Sequence, residues 1–122
     1  MNTQQVAERL VALCREGKYE AAYDELFADD AENIEMPAMA DGPFGNVKGM
    51  DSMRKKAAAW FAGVEEIHSS SVGEPVVSGN WFALPMSMDI TFKGRGRMPM
   101  EELCVYQLRD GKIVREQFFY DA

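Results

Sequence analysis

The chain has 122 residues, enough for one domain with a sizeable core and too few for two. Hydrophobic residues make up 47% and charged residues 27%, which excludes wholesale disorder. Thirteen basic against twenty acidic side chains leave a net charge of −7, so phosphate backbones and anionic lipid surfaces are repelled, and neither nucleic acid nor membrane is the expected partner.

Thr3 is placed to cap a first helix, whose apolar residues Val6, Leu10, Leu13 and Cys14 share a face. Gly17 stands where a left-handed stop belongs. A second helix follows, with Tyr19, Ala22, Tyr23 and Leu26 on one stripe. Phe27-Ala28-Asp29-Asp30 breaks that pattern, and residues 32–37 form a short strand ended by Pro37. Residues 38–49 hold three glycines and a proline and make a loop, with Phe44 as a hydrophobic flap. A third helix spans residues 50–62 with Met53, Ala57, Trp60 and Phe61 facing inward, and Gly63 ends it.

From Glu65 the pattern changes to strands. Residues 67–77 form a serine-rich strand closed by Ser78-Gly79-Asn80. Residues 81–93 alternate apolar and polar, and Gly94-Arg95-Gly96 returns the chain into a strand over 97–108. Asp110-Gly111 makes the last hairpin, followed by a strand over 112–120. Three helices followed by a meander of long strands predict an α+β domain, with the helices on one face of a curved sheet. Leu84, Met86, Met88 and Ile90 form the apolar side of their strand.

The Asp110-Gly111 hairpin admits two registers. As a two-residue turn it pairs Glu116 with Val105. With a type I turn at Arg109-Asp110 and a bulged Gly111, Glu116 pairs with Cys104, and Met100, Glu102 and Cys104 lie beside Glu116, Phe118 and Tyr120. A one-residue slip exchanges the faces, and the residues themselves permit both.

Two cysteines and one histidine make neither a disulfide framework nor a zinc constellation, so no metal and no cofactor are expected. The opening Met-Asn-Thr-Gln-Gln lacks the basic and apolar regions of a signal peptide, and the expected location is cytoplasmic. Nine methionines, four of them clustered from Met86 to Met100, suit an adaptable apolar cavity or a loosely filled core.

The order of elements resembles the nuclear transport factor 2-like superfamily. Phe27-Ala28-Asp29-Asp30-Ala31, Gly49-Met50-Asp51-Ser52-Met53, Asp110-Gly111-Lys112-Ile113 and the Phe119-Tyr120 ending are similar to its SnoaL-like and ketosteroid-isomerase-like branch. The resemblance covers nearly the whole chain and implies a single domain over 1–122. Its fold would be a cystatin-like cone enclosing a pocket, with the outer sheet face building a homodimer. It favours the bulged register. The implied lining is then Leu84, Met86, Met88, Ile90 and Met100 with Glu102, Cys104, Glu116, Phe118 and Tyr120, and Met36 and Trp60 complete it.

Carried over position by position, the isomerase chemistry fails. The catalytic base position falls at Met36, the first-helix tyrosine at Leu10 and the protonated aspartic acid at Cys104, so a true ketosteroid isomerase is excluded. The Asp-Arg-Asp relay of the epoxide-hydrolase relatives is missing from the pocket face. Glu116 falls in territory comparable to the cyclases' last-strand aspartate, but the single histidine, His68, lies near the start of the first long strand on a face the sequence leaves open. Glu102 and Glu116 remain as proton-handling groups, with Tyr120 as a hydrogen-bond donor. A carboxylate facing an apolar cavity has a raised pKa and serves as a base near neutral pH. The expectation is cofactor-free isomerase, cyclase or dehydratase chemistry on a small hydrophobic carbonyl-bearing ligand. The alternative is a non-catalytic ligand-binding or dimeric interaction domain, and outward-pointing Leu103, Val105 and Phe119 give the homodimer its motive.

Overall fold

The computed structural model describes residues 1–121. Three α-helices, α1 (Thr3–Arg15), α2 (Tyr19–Leu26) and α3 (Met50–Gly63), lie against seven strands. These are β1 (Phe27–Ile34), β2 (Val47–Lys48), β3 (Val64–Val72), β4 (Val76–Ser78), β5 (Trp81–Phe92), β6 (Gly96–Arg109) and β7 (Lys112–Phe119). The sheet order is β2-β1-β7-β6-β5-β3, with β4 also paired to β5, and every pairing is antiparallel except β1 with β7.

Local chemistry explains where the elements begin and end. Asn2, not Thr3, caps α1: its side chain accepts from the Gln5 amide while the Gln5 side chain accepts from the Asn2 amide. Gly17 takes the left-handed conformation, with φ 72°, and turns the chain into α2. The first strand starts at Phe27, earlier than the expected residue 32, because α2 passes straight into it at Leu26. Low strand propensity at Asp29 and Asp30 concealed this, and both are exposed in an irregular stretch of the β1–β7 pairing. The loop over 38–49 contains a 3-10 turn at Pro37–Met39 and ends in β2.

The serine-rich strand is two strands. β3 leaves α3 directly at Val64, and the Gly73-Glu74-Pro75 break separates it from β4. Gly73 is required at that break, since a Cβ there would press on the Pro85 ring. Of the inward residues expected on α3, Met53 is buried and Trp60 half-buried, whereas Phe61 keeps 36% of its surface exposed and flanks an open cleft.

The last hairpin differs from both expected registers. Asp110 and Gly111 both have positive φ, 52° and 78°, so they form a two-residue turn with Arg109 opposite Lys112. One extra residue at Val114 then shifts the ladder between Gln107 and Leu108, so Glu116 faces Tyr106 rather than Val105 or Cys104. The turn and the bulge together put Glu116 and Phe118 beside Cys104 and Tyr106 on the helix-facing side.

That side carries one core. Val6, Leu10 and Leu13 of α1 and Leu26 of α2 pack on Phe82, Leu84, Cys104, Tyr106 and Ile113. The Phe82 and Tyr106 rings stack with centroids 4.7 Å apart. No helix among the described residues is long and apolar enough to cross a membrane.

At the α3–β3 junction, Gly63 lies against the Phe92 ring, and an added Cβ would overlap it. Gly63→Ala is expected to destabilise the fold by about 1–3 kcal/mol through overpacking, measured by chemical denaturation.

Candidate functional site

Three neighbouring strands set one lateral row on the inner face: Asn33 of β1, Glu116 of β7 and Tyr106 of β6. Asn33 is 5% exposed and Glu116 8%, and they are the polar residues buried in the core. Asn33 Nδ2 donates to Glu116 Oε1 at 2.8 Å. From α3, one turn after buried Met53, Lys56 reaches in and donates from Nζ to Asn33 Oδ1 and, at 2.7 Å, to Glu35 Oε2. The Tyr120 hydroxyl donates to the other Glu35 oxygen at 2.7 Å. Lys56 also lies 5.9 Å over the Phe118 ring. One continuous network thus runs Tyr120–Glu35–Lys56–Asn33–Glu116.

The Lys56–Glu35 pair is an interior one, with side chains 13% and 12% exposed. Such a pair adds little net stability but leaves a costly lone charge when one partner is removed. Glu102 stands at the edge of the network, opposite Met86 across β5–β6. Burial first, then the charges of Glu35 and Glu116, push its carboxyl up to about 7, and Lys56 works against the shift. Burial likewise pushes Glu116 up, against hydrogen bonds with Tyr106 and Asn33 and the charge of Lys56. Burial, together with donation to Glu35, holds the Tyr120 hydroxyl at about 12.

Two clefts are found where one apolar pocket was expected, and the smaller of them reaches the cluster at Glu102 and Tyr120. The larger, about 690 Å³, opens between the α1–α2 turn, α3 and β3 and includes Tyr19, Tyr23, Phe61 and Met88. The smaller, about 450 Å³, includes Met86, Glu102, Leu103, Phe119 and Tyr120. Glu102, Glu116 and Tyr120 therefore gather in one region, while the expected lining divides. Leu84, Ile90 and Cys104 have no accessible surface, and Leu84 and Cys104 belong to the core that α1 and α2 form with the sheet. Met100 sits half-buried opposite Met88. Trp60 meets Phe61 edge-on at 5.0 Å and lies 6.3 Å from Phe92, which Phe44 also touches edge-on. Met36 is half-buried, and its neighbour Glu35 is the residue that enters the cluster.

The remaining polar candidates stand apart. His68 bonds Thr91 and Glu66 on the edge strand. Asp89 pairs with Arg97 at 2.8 Å on the outer side. Burial pushes the Cys14 thiol up to about 12 and the Cys104 thiol higher still, so both are poor nucleophiles. Among the described residues no group of acidic, cysteine and histidine side chains has metal-holding geometry.

Asn33, Glu35 and Lys56 were missed in the sequence. The signal for the first two was their two-residue spacing after buried Ala31. That for Lys56 was its position three residues beyond Met53, on the inward stripe of α3.

A curved sheet closed by three helices around a charged interior cluster is the ketosteroid-isomerase-like, cystatin-like architecture. The chain belongs to the SnoaL-like domain family, whose model matches residues 1–120. A proposed SnoaL-like polyketide cyclase from Mesorhizobium loti is similar at 32% identity and TM-score 0.90, over 98% of this chain and 100% of that one. A proposed SnoaL-like polyketide cyclase from Jannaschia sp. CCS1 shares the fold at 17% identity and TM-score 0.75, over 98% and 87% of the two chains. So does a Catenulispora acidiphila protein of ketosteroid isomerase-like fold solved with trimethylamine, at 17% identity and TM-score 0.73, over 98% and 88%. No curated protein matches the chain significantly.

Because the folded-state value of Glu102, about 7, lies above the ordinary 4.5, its ionisation opposes folding. Its contribution is intact below the ordinary value and is lost as pH rises through about 7. Glu102→Gln removes that loss. The stability of the variant relative to wild type is expected to grow by on the order of 3 kcal/mol between mildly acid and mildly alkaline pH, read by urea denaturation at each pH.

Proposed function

We propose that the protein is a cofactor-free acid/base enzyme of isomerase, cyclase or dehydratase type. Its substrate is a small, mostly hydrophobic, carbonyl-bearing molecule, and its place is the cytoplasm, where two buried free thiols stay reduced. The observation that carries this reading is Glu102. Its carboxyl lines a cleft, is poised near 7, and receives no hydrogen bond among the described residues. A base of that strength takes a proton beside a carbonyl and returns it to another carbon, or to a departing hydroxide as water. Tyr120 is the donor for the enolate oxygen, exchanging Glu35 for the ligand as its acceptor. Glu116, held by Asn33, is the second proton-handling group. The proposed cyclases from Mesorhizobium loti and Jannaschia support the carbonyl-bearing substrate class.

A non-catalytic binder is the second reading, favoured by the methionines paired on the inner face, Met88 with Met100 and Met98 with Ile90. Proton exchange separates the two. Small cyclic ketones and β-diketones incubated with the protein in deuterated water are expected to exchange their α-protons. Glu102→Gln is expected to slow this at least about 100-fold, followed by proton NMR. Ligands that bind without any exchange overturn the catalytic reading in favour of the binder.

The proposed assembly is a homodimer through the outer sheet face. Its support is an exposed apolar row: Leu103, 44% exposed, lies opposite Phe119, 41% exposed, with Trp81 on the same face. Leu103→Lys is expected to halve the mass found by light scattering.

A further inference from the structure

We infer that Lys56 is the positioning residue of the acid/base cluster: by fixing Asn33 and Glu35 from α3, it governs the protonation of both Glu102 and Glu116. This rests on the reading of Glu102 as proton acceptor and extends it to a residue outside the proposed pair of Glu102 and Glu116.

An ammonium only donates, so Lys56 requires acceptors, and it takes two: Asn33 Oδ1 and Glu35 Oε2. An amide has one accepting and one donating end. With the oxygen of Asn33 committed to Lys56, its Nδ2 must point away, and it donates to Glu116 Oε1 at 2.8 Å. Lys56 therefore determines which end of Asn33 the buried Glu116 meets. Without the ammonium, the amide is free to turn over and present its oxygen, which a carboxyl tolerates only when it carries the proton.

The second arm runs through Glu35. Lys56 and the Tyr120 hydroxyl bind its two oxygens from opposite sides, each at 2.7 Å. This fixes Tyr120 beside Glu102 at the end of β7. It also sets one positive charge among three carboxyl groups, and that charge opposes the upward shift of both Glu102 and Glu116. The groups facing the cluster are Glu35 after β1, Lys56 of α3, Glu116 of β7 and Tyr120 after it, Cys104 and Tyr106 of β6, Cys14 of α1 and Tyr23 of α2. Lys56 is the cation among them. Lys55, its neighbour, is exposed and makes a clean control.

The test is carbon-13 NMR of the glutamate side-chain carboxyls, titrated from mildly acid to alkaline pH in wild type, Lys56→Met, Lys56→Arg and Lys55→Met. The Glu102 midpoint is expected to rise by at least about one pH unit in Lys56→Met. It is expected to return close to wild type in Lys56→Arg and to stay unmoved in Lys55→Met. A Glu102 midpoint unchanged in folded Lys56→Met overturns the inference. Should that variant not fold, the wild type supplies the measurement: the nitrogen-15 signal of the Lys56 ammonium is expected to shift as Glu102 titrates, and an ammonium that ignores that titration overturns it equally. Because the readout is a titration, it is independent of turnover. A shifted midpoint in a protein whose wild type catalyses no α-proton exchange supports Lys56 control and discards only the catalytic reading.

Discussion

One extra residue in a strand determines what faces the interior. The Asp110-Gly111 turn by itself would pair Glu116 with Val105 and send its carboxylate to the outer face. The bulge at Val114 moves the ladder by one position, so Glu116 meets Tyr106 on one side and Asn33 on the other. Everything polar inside the cone is arranged from that point. Asn33 bonds Glu116, Lys56 bonds Asn33, and Glu35 joins Lys56 to Tyr120.

The surroundings of the two glutamates differ in kind. Glu116 is enclosed and provided with hydrogen bonds, whereas Glu102 is desolvated without them and borders a cleft. A bonded buried carboxyl is held in place, and an unbonded one has its proton available. The same fold thereby gives two raised carboxyls different surroundings, one bonded and enclosed and one unbonded at a cleft, with the interior ion pair of Lys56 and Glu35 beside them.

The architecture was legible in the sequence because its signals are periodic. Helical stripes ended by Gly17 and Gly63, and long alternating strands ended by glycine turns, name their elements directly. The inner face of the last strand was legible only as one of two alternatives. It came out on the expected side by a different route, because a bulge in mid-strand has no residue signature comparable to a turn. Glu102, Glu116 and Tyr120 were visible as polar residues at inward positions. Asn33, Glu35 and Lys56 were not, since β1 begins among aspartates that mask its alternation, and a lysine on a helix is ordinarily solvated. The lining was overestimated at Leu84, Ile90 and Cys104, where inward orientation meant full burial rather than contact with open space.

The parallel pairing of β1 with β7 has a consequence for assembly of the molecule. The hydrogen bonds Asn33–Glu116 and Glu35–Tyr120 span 83 and 85 residues, the longest loops that the interior network must close. Loop-closure entropy makes such contacts late and slow relative to the β5–β6 hairpin. A nascent chain can therefore complete its helices and its meander while the acidic cluster still lacks one wall. The interior network is complete only once β1 and β7 have paired, so a partly folded chain lacks the Asn33–Glu116 and Glu35–Tyr120 hydrogen bonds.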